Sequence, residues 1–280
     1  MRTYSIVFLD IDGTLLDSRH QVMPCTRNRL QYLHRRGVPI ILCSARPPEG
    51  VSLVARQVGL QGPKACYNGG LVFDEHSTIL RDVGIDIQLA VEFKRFASER
   101  FPEIVVSAYL YNVWLAEDPR NPAILQEAEI SGCVPLEGSL EQVASTASHI
   151  HKLLCIGDAM QIRALQKEAQ QHFPQLMALR SKAAYLEILS PESTKRSAAQ
   201  TLLAHYQLKP EQAVAFGDSD VDMDMLRYCG FGVAMGNAPK QVKEAADYVT
   251  ASNDQEGVYI ALNSMRLKAP GAGGNPEKAR

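Results

Sequence analysis

At 280 residues, 46% of them hydrophobic and 21% charged, the chain can bury a substantial core as one large domain or two unequal ones. Its formal charge of -2 offers no electrostatic case for nucleic acid or a membrane surface as partner, while leaving room for a locally positive site that takes a small anion. The six cysteines stand singly, without the spacing of a zinc knuckle or redox pair, and no stretch is apolar over the ~18 residues a spanning helix needs. With no secretion signal at the N-terminus, the expected location is the cytoplasm.

In chain order, residues 4–9 form an apolar, β-favouring run that ends at an acidic, glycine-containing turn. Residues 24–36 have helical spacing, with Leu30 and Leu33 on one face and Gly37 as a stop. Residues 39–43 read as a buried strand and 49–58 as a helix closed by Gly59. This alternation predicts a parallel sheet with crossover helices, whose ligands gather at the carboxyl ends of the strands. Between about 84 and 186 the pattern changes: a helix over 87–100, neighbouring strands at 104–110 and 112–116, a strand at 152–156, a helix over 159–172 and a strand at 185–189. Strands in quick succession predict an antiparallel α+β layer. The alternating pattern resumes with a helix from Lys195 to about 206, a strand at 213–216 and a helix at 222–228. The expected fold is α/β, a discontinuous parallel-sheet core (1–83 and 187–265) carrying an α+β insert (84–186), with a Gly- and Pro-containing flexible tail (266–280).

Four short segments carry candidate chemistry. Asp10-Ile11-Asp12-Gly13-Thr14 follows the first strand, placing two carboxylates at its carboxyl end. Gly217-Asp218-Ser219-Asp220-Val221-Asp222 repeats that arrangement after the run 213–216. If both strands lie centrally in one sheet, Asp10, Asp12, Asp218 and Asp222 can converge on a hard divalent cation, and an all-oxygen ligand set of this kind suits magnesium. Ser44, followed by Ala45 and Arg46, ends the strand 39–43 with a hydroxyl able to donate to a phosphate oxygen, and Lys195 opens a helix where it can neutralise phosphate and carboxylate together. Each segment alone also fits an ordinary turn or helix start; the two acidic clusters together do not.

In order, these segments resemble the four motifs of the haloacid dehalogenase (HAD) superfamily, and the insert resembles the type-2 cap of its Cof-like, class IIB phosphatases. Tyr67-Asn68-Gly69-Gly70, Val233-Ala234-Met235-Gly236-Asn237-Ala238 and the stretch 250–257 agree with that subfamily. The resemblance implies a Rossmann-like core and a magnesium-dependent phosphomonoesterase acting on a small phosphorylated metabolite, a sugar phosphate first among the classes. It implies Asp10 as nucleophile, Asp12 as general acid and base, Ser44 and Lys195 as holders of the phosphoryl group, Asp10, Asp12, Asp218 and Asp222 around Mg2+, and Arg46 and Asn237 near the substrate. The chain departs from the family pattern at Ser44-Ala45, where Thr-Gly is usual, and at Val221, where asparagine is usual. Val221 keeps open a second reading, a non-catalytic phosphate-binding regulatory or scaffold protein. His149 and His151, two residues apart, are expected to be a solvated or cap-surface pair for want of a third metal ligand, and Trp114, with Tyr109 and Tyr111, to belong to the core of the insert.

Overall fold

A computed structural model of the chain describes residues 2–271. It divides into two compact units. The first comprises the chain up to Ser44, Val51–Arg81, and the chain from Thr194 onward; the second comprises Asp82–Ser193 together with Ala45–Gly50.

The first unit is built on a sheet whose strands run, in spatial order, Tyr248–Val249, Phe231–Ala234, Ala213–Gly217, Ile6–Asp10, Ile40–Cys43, Lys64–Cys66, Leu71–Phe73 and Ile79–Asp82, the last residue of which already belongs to the second unit. All neighbours from Tyr248–Val249 through Lys64–Cys66 pair in parallel, and Lys64–Cys66 turns back antiparallel onto Leu71–Phe73. The three central strands are buried along their whole length. Burial on both faces explains why they read as unbroken apolar runs rather than as alternating ones. Ile6, Phe8, Ile41, Cys43, Ala213 and Ala215 pack with Ala198, Ala199, Leu202 and Leu203 of the helix Lys195–His205. The helix Pro24–Arg35 starts with Pro at its first turn, buries Leu30 and Leu33, and is followed by Gly37 at φ 75°, a left-handed stop open to glycine. Its N-cap, Met23, has no acceptor side chain.

The second unit contains a sheet in the order Leu136–Glu137, Val113–Ala116, Val105–Leu110, Lys152–Ile156, Tyr185–Leu189 and Met177–Lys182. Only the first pair is parallel; the rest are antiparallel, the α+β character expected from closely spaced strands. One face carries Ala108, Leu115, Leu153, Cys155, Leu186 and Ile188, packed with Ala90, Phe93 and Ala97 of the helix Ile87–Arg100 and Ile162, Leu165 and Ala169 of Ala159–His172. Asp86 and Asp158 cap those two helices with their carboxylates. Tyr109 and Trp114 stack at 5.3 Å and are buried, but Tyr111, expected in the core with them, is exposed at a turn and donates its hydroxyl to Asp82.

Two expectations need correction. The tail is expected to begin at 266, yet Arg266 and Leu267 pair in parallel with Thr3 and Tyr4, and the Lys268 amide donates to the Tyr4 carbonyl. Backbone pairing needs no apolar periodicity, so composition could not reveal it; the remainder of that stretch, 272–280, lies outside the described residues. Of the histidine pair, His151 is fully buried rather than solvated, while His149 stays partly exposed; both rings bond Asp82, as set out below. Among the described residues no helix is long and apolar enough to cross a membrane.

Candidate active site

In a parallel sheet every strand delivers its last residue to the same rim. Asp10 is paired with Cys43 across the central strands, so Ser44, the next residue, leaves the sheet beside it. On the other side Phe216 pairs with Leu9, which brings Gly217 and Asp218 to the same rim. Two glycines make this approach possible. A Cβ on Gly13, at φ 85°, would stand 2.3 Å from Asp218 Oδ2, and one on Gly217 would stand 2.3 Å from the Asp222 Cβ. Both acid-bearing turns therefore need glycine for space, and Gly13 also for its left-handed backbone.

Lys195 is the first residue of its helix, fixed by Thr194, whose hydroxyl oxygen accepts from the Ser197 amide at 3.1 Å. The Thr194 carbonyl lies so close to Gly69 that a Cβ there would come within 2.3 Å, which accounts for that glycine in the Tyr67–Gly69 turn. The Lys195 ammonium is buried and donates to Asp10 Oδ1 and Asp222 Oδ1. Asp222 Oδ2 accepts from the Asp218 amide at 3.1 Å, the Ser219 amide at 3.0 Å and the Ser219 hydroxyl at 2.8 Å. Asp222 thus spends both oxygens holding Lys195 and the 217–219 turn. Thr14 donates its hydroxyl to Asp218 Oδ1 at 2.7 Å.

Burial, together with repulsion from Asp222 and Asp218, pushes the Asp10 carboxyl well above its ordinary range, with Lys195 opposing. Burial also raises Asp218, against the Thr14 hydrogen bond. For Lys195 burial disfavours the ammonium, but Asp10 and Asp222 outweigh it and hold the lysine charged well above the usual range. One oxygen from each of Asp10, Asp218 and Asp222 lies within 4.8 Å of the others, facing a single ammonium. Such a surplus of buried carboxylate oxygen fits a hard divalent cation, whose charge would relieve the repulsion that raises Asp10.

The other expected residues are placed as follows. Asp12 is exposed on the loop after Asp10, and its backbone forms a bridge with Leu16. Ser44 is buried, its carbonyl accepting from the Asn68 amide at 2.9 Å. Arg46 belongs to the second unit, near the Cys133 thiol. Asn237 reaches the site, but its amide nitrogen donates to the Gly13 carbonyl at 2.8 Å and its oxygen accepts from the Asn253 amide at 3.1 Å. Thr14, Ser219 and Asn253 were not singled out from the sequence. Asn253 lies within the stretch 250–257 that resembles the subfamily.

A second cluster with metal-like composition occupies the second unit. Asp82 Oδ1 accepts from His149 Nε2 at 2.8 Å and His151 Nε2 at 3.0 Å, and Asp82 Oδ2 accepts from the Tyr111 hydroxyl at 2.6 Å. His151 Nδ1 accepts from the Tyr111 amide at 3.0 Å. A neutral imidazole accepting at Nδ1 carries its proton on Nε2, so His151 is a donor to Asp82 and has no lone pair there for a metal. The acid that completes this group lies 67 residues before His149, beyond the reach of a spacing rule.

The family model of the haloacid dehalogenase-like hydrolases matches residues 7–262. The chain belongs to that family of hydrolases. A provisionally named phosphatase of Haemophilus influenzae is 32% identical over 259 residues, 92% of this chain and 97% of its own length. HMP-PP phosphatase of Serratia proteamaculans is 28% identical over 243 residues, 86% of each chain. The crystal structure of a haloacid dehalogenase-like hydrolase from Bacteroides thetaiotaomicron superposes with a TM-score of 0.84 at 26% identity, covering 93% of this chain and 98% of that one.

Proposed function

We propose that this member of the family is a magnesium-dependent phosphomonoesterase that passes a phosphoryl group from a small metabolite to Asp10 and then to water. The observation that supports it best is the buried Asp10 at a strand end, one oxygen held by Lys195, among carboxylates in excess of cations. Relatives named as phosphatases, such as the HMP-PP phosphatase, agree with this reaction. Sugar phosphates are the leading substrate class through the likeness to Cof-like phosphatases.

In the first step Asp10 attacks phosphorus while the bond to the leaving oxygen breaks, giving an aspartyl-phosphate, and Asp12 gives its proton to the departing oxygen. In the second, Asp12 takes a proton from water, which attacks the acyl phosphate, frees Asp10 and releases inorganic phosphate. Lys195 and the Ser44 hydroxyl hold the equatorial oxygens of the group in transfer. Asp10, Asp218 and the backbone carbonyl of Asp12 would hold Mg2+, with Asp222 behind them orienting Lys195 and the 217–219 turn. When bound, the cation supplies charge that lets an anionic carboxylate approach an anionic phosphate.

The test is phosphate release from a panel of sugar phosphates and p-nitrophenyl phosphate, with magnesium, with chelator, and with Asp10→Asn. Turnover requiring both magnesium and Asp10 is expected. Phosphate binding without any turnover above the Asp10→Asn background would instead favour the non-catalytic reading that Val221 keeps open.

A further inference from the structure

The segment 253–256 fastens the far side of the catalytic loop at several points. Asn253 Nδ2 donates to the Leu16 carbonyl at 2.9 Å, and the Asn253 amide donates to Asn237 Oδ1, whose own Nδ2 donates to the Gly13 carbonyl. Asp254 Oδ1 accepts from the Ser18 amide at 2.7 Å. Glu256 accepts from the Cys25 and Thr26 amides, each at 2.9 Å, and from the Thr26 hydroxyl at 2.5 Å. Glu256 thereby caps the helix Pro24–Arg35, whose own N-cap Met23 cannot. Glu256 adopts φ 57°, an uncommon conformation for a non-glycine residue. The backbone on either side of the segment is closely packed: a Cβ on Gly257 would meet the Ala251 carbonyl at 2.1 Å, and one on Gly236 the Ser252 amide at 2.7 Å.

The strand Ile6–Asp10 fixes the loop's entry through the sheet. Its exit holds to this segment instead. Between the two lies Asp12, whose backbone bridges Leu16, the residue that Asn253 grips. From this we infer that Asn253, through Leu16 and through Asn237, is a positioning residue that sets where Asp12 stands for proton transfer, with Asp254 and Glu256 bracing the same loop. The inference rests on the reading of Asp12 as general acid. It assigns Asn237 to the protein's own loop rather than to substrate.

Proton donation matters for a poor leaving group and hardly at all for a good one. The experiment therefore compares kcat/KM, which reports phosphoryl transfer to Asp10, on an alkyl phosphate and on p-nitrophenyl phosphate. Asn253→Asp keeps the side chain's shape and removes the donor to Leu16. It is expected to lose at least ~10-fold more on the alkyl ester than on the aryl ester, since misplacement of a catalytic group by about 1 Å can cost ~100-fold. Asp254→Ala, at an exposed position, is expected to show a smaller loss of the same kind. Amide hydrogen exchange across residues 13–18 should speed up in both variants. Equal losses on the two esters, or unchanged exchange in that loop, would overturn the inference. Asp12→Asn in the same assay separates the two levels: if it too loses equally on both esters, the fault lies in the role given to Asp12, and the exchange data still judge the clasp.

Discussion

Two clusters of ligand-type side chains of similar compactness lie in the two units, and they differ in charge balance. Around Asp10, three carboxylates share one ammonium, and burial leaves their repulsion unrelieved. Around Asp82, one carboxylate accepts from three donors, two imidazoles and a phenol, and its pKa falls below the ordinary range despite the burial that opposes the shift. The first arrangement leaves carboxylate charge that one ammonium does not balance; in the second every bond on the carboxylate comes from a donor. Proximity of ligand-type residues is common to both, so proximity is a poor guide to a site. The discriminating quantity is the unsatisfied charge.

Substitutions can break this contrast at its strongest point first. Asp10→Asn is expected to cut phosphatase turnover by at least ~1,000-fold, and Lys195→Met by ~100- to 1,000-fold, as for loss of a nucleophile and of a transition-state charge. Steady-state kinetics on p-nitrophenyl phosphate read both, and a loss below tenfold in either would put the chemistry elsewhere.

The Asp82 group should register in stability. Burial holds His151 neutral, lowering its pKa to about 4 from an ordinary 6.5, with Asp82 opposing. The unfolded chain therefore takes up a proton between about pH 6.5 and 4 that the folded chain refuses. Stability is full above that window and falls as the pH drops through it, by about 3 kcal/mol if His151 acts alone. Urea unfolding at several pH values should show this slope in the parent and a flatter one in His151→Asn.

Metal binding gives a smaller effect. At a hundredfold excess over Kd, Mg2+ should stabilise the folded chain by about 2.7 kcal/mol. Thermal unfolding should show that gain in the parent and in Asp82→Asn, and its loss in Asp218→Asn. The smallest expected change is in the turnover of Asp82→Asn itself, within about threefold of the parent where stability permits, since its carboxylate serves hydrogen bonds in the second unit.

The parts of this contrast legible in the sequence are those encoded locally. The strands bearing Asp10, Ser44 and Asp218 showed as continuous apolar runs because both their faces are buried. The acids followed directly, and Gly13 and Gly217 marked the turns. Lys64–Cys66, Leu71–Phe73 and Tyr248–Val249 escaped because two or three residues carry no period. The roles of Asn237, Asn253 and Glu256 depend on hydrogen bonds spanning 224 to 237 residues, which no local pattern encodes. Asp82 escaped for the same reason, and with it the hydrogen bonds that keep the His151 Nε2 proton in place.

The central claim is that Asp10 carries the phosphoryl group. It is tested most directly by quenching the enzyme in acid during turnover with magnesium and mapping the phosphorylated peptide by mass. One added phosphoryl group is expected on the peptide containing Asp10, absent in chelator and in Asp10→Asn. A phosphoryl group on another residue, or full turnover by the Asp10→Asn protein, would contradict it.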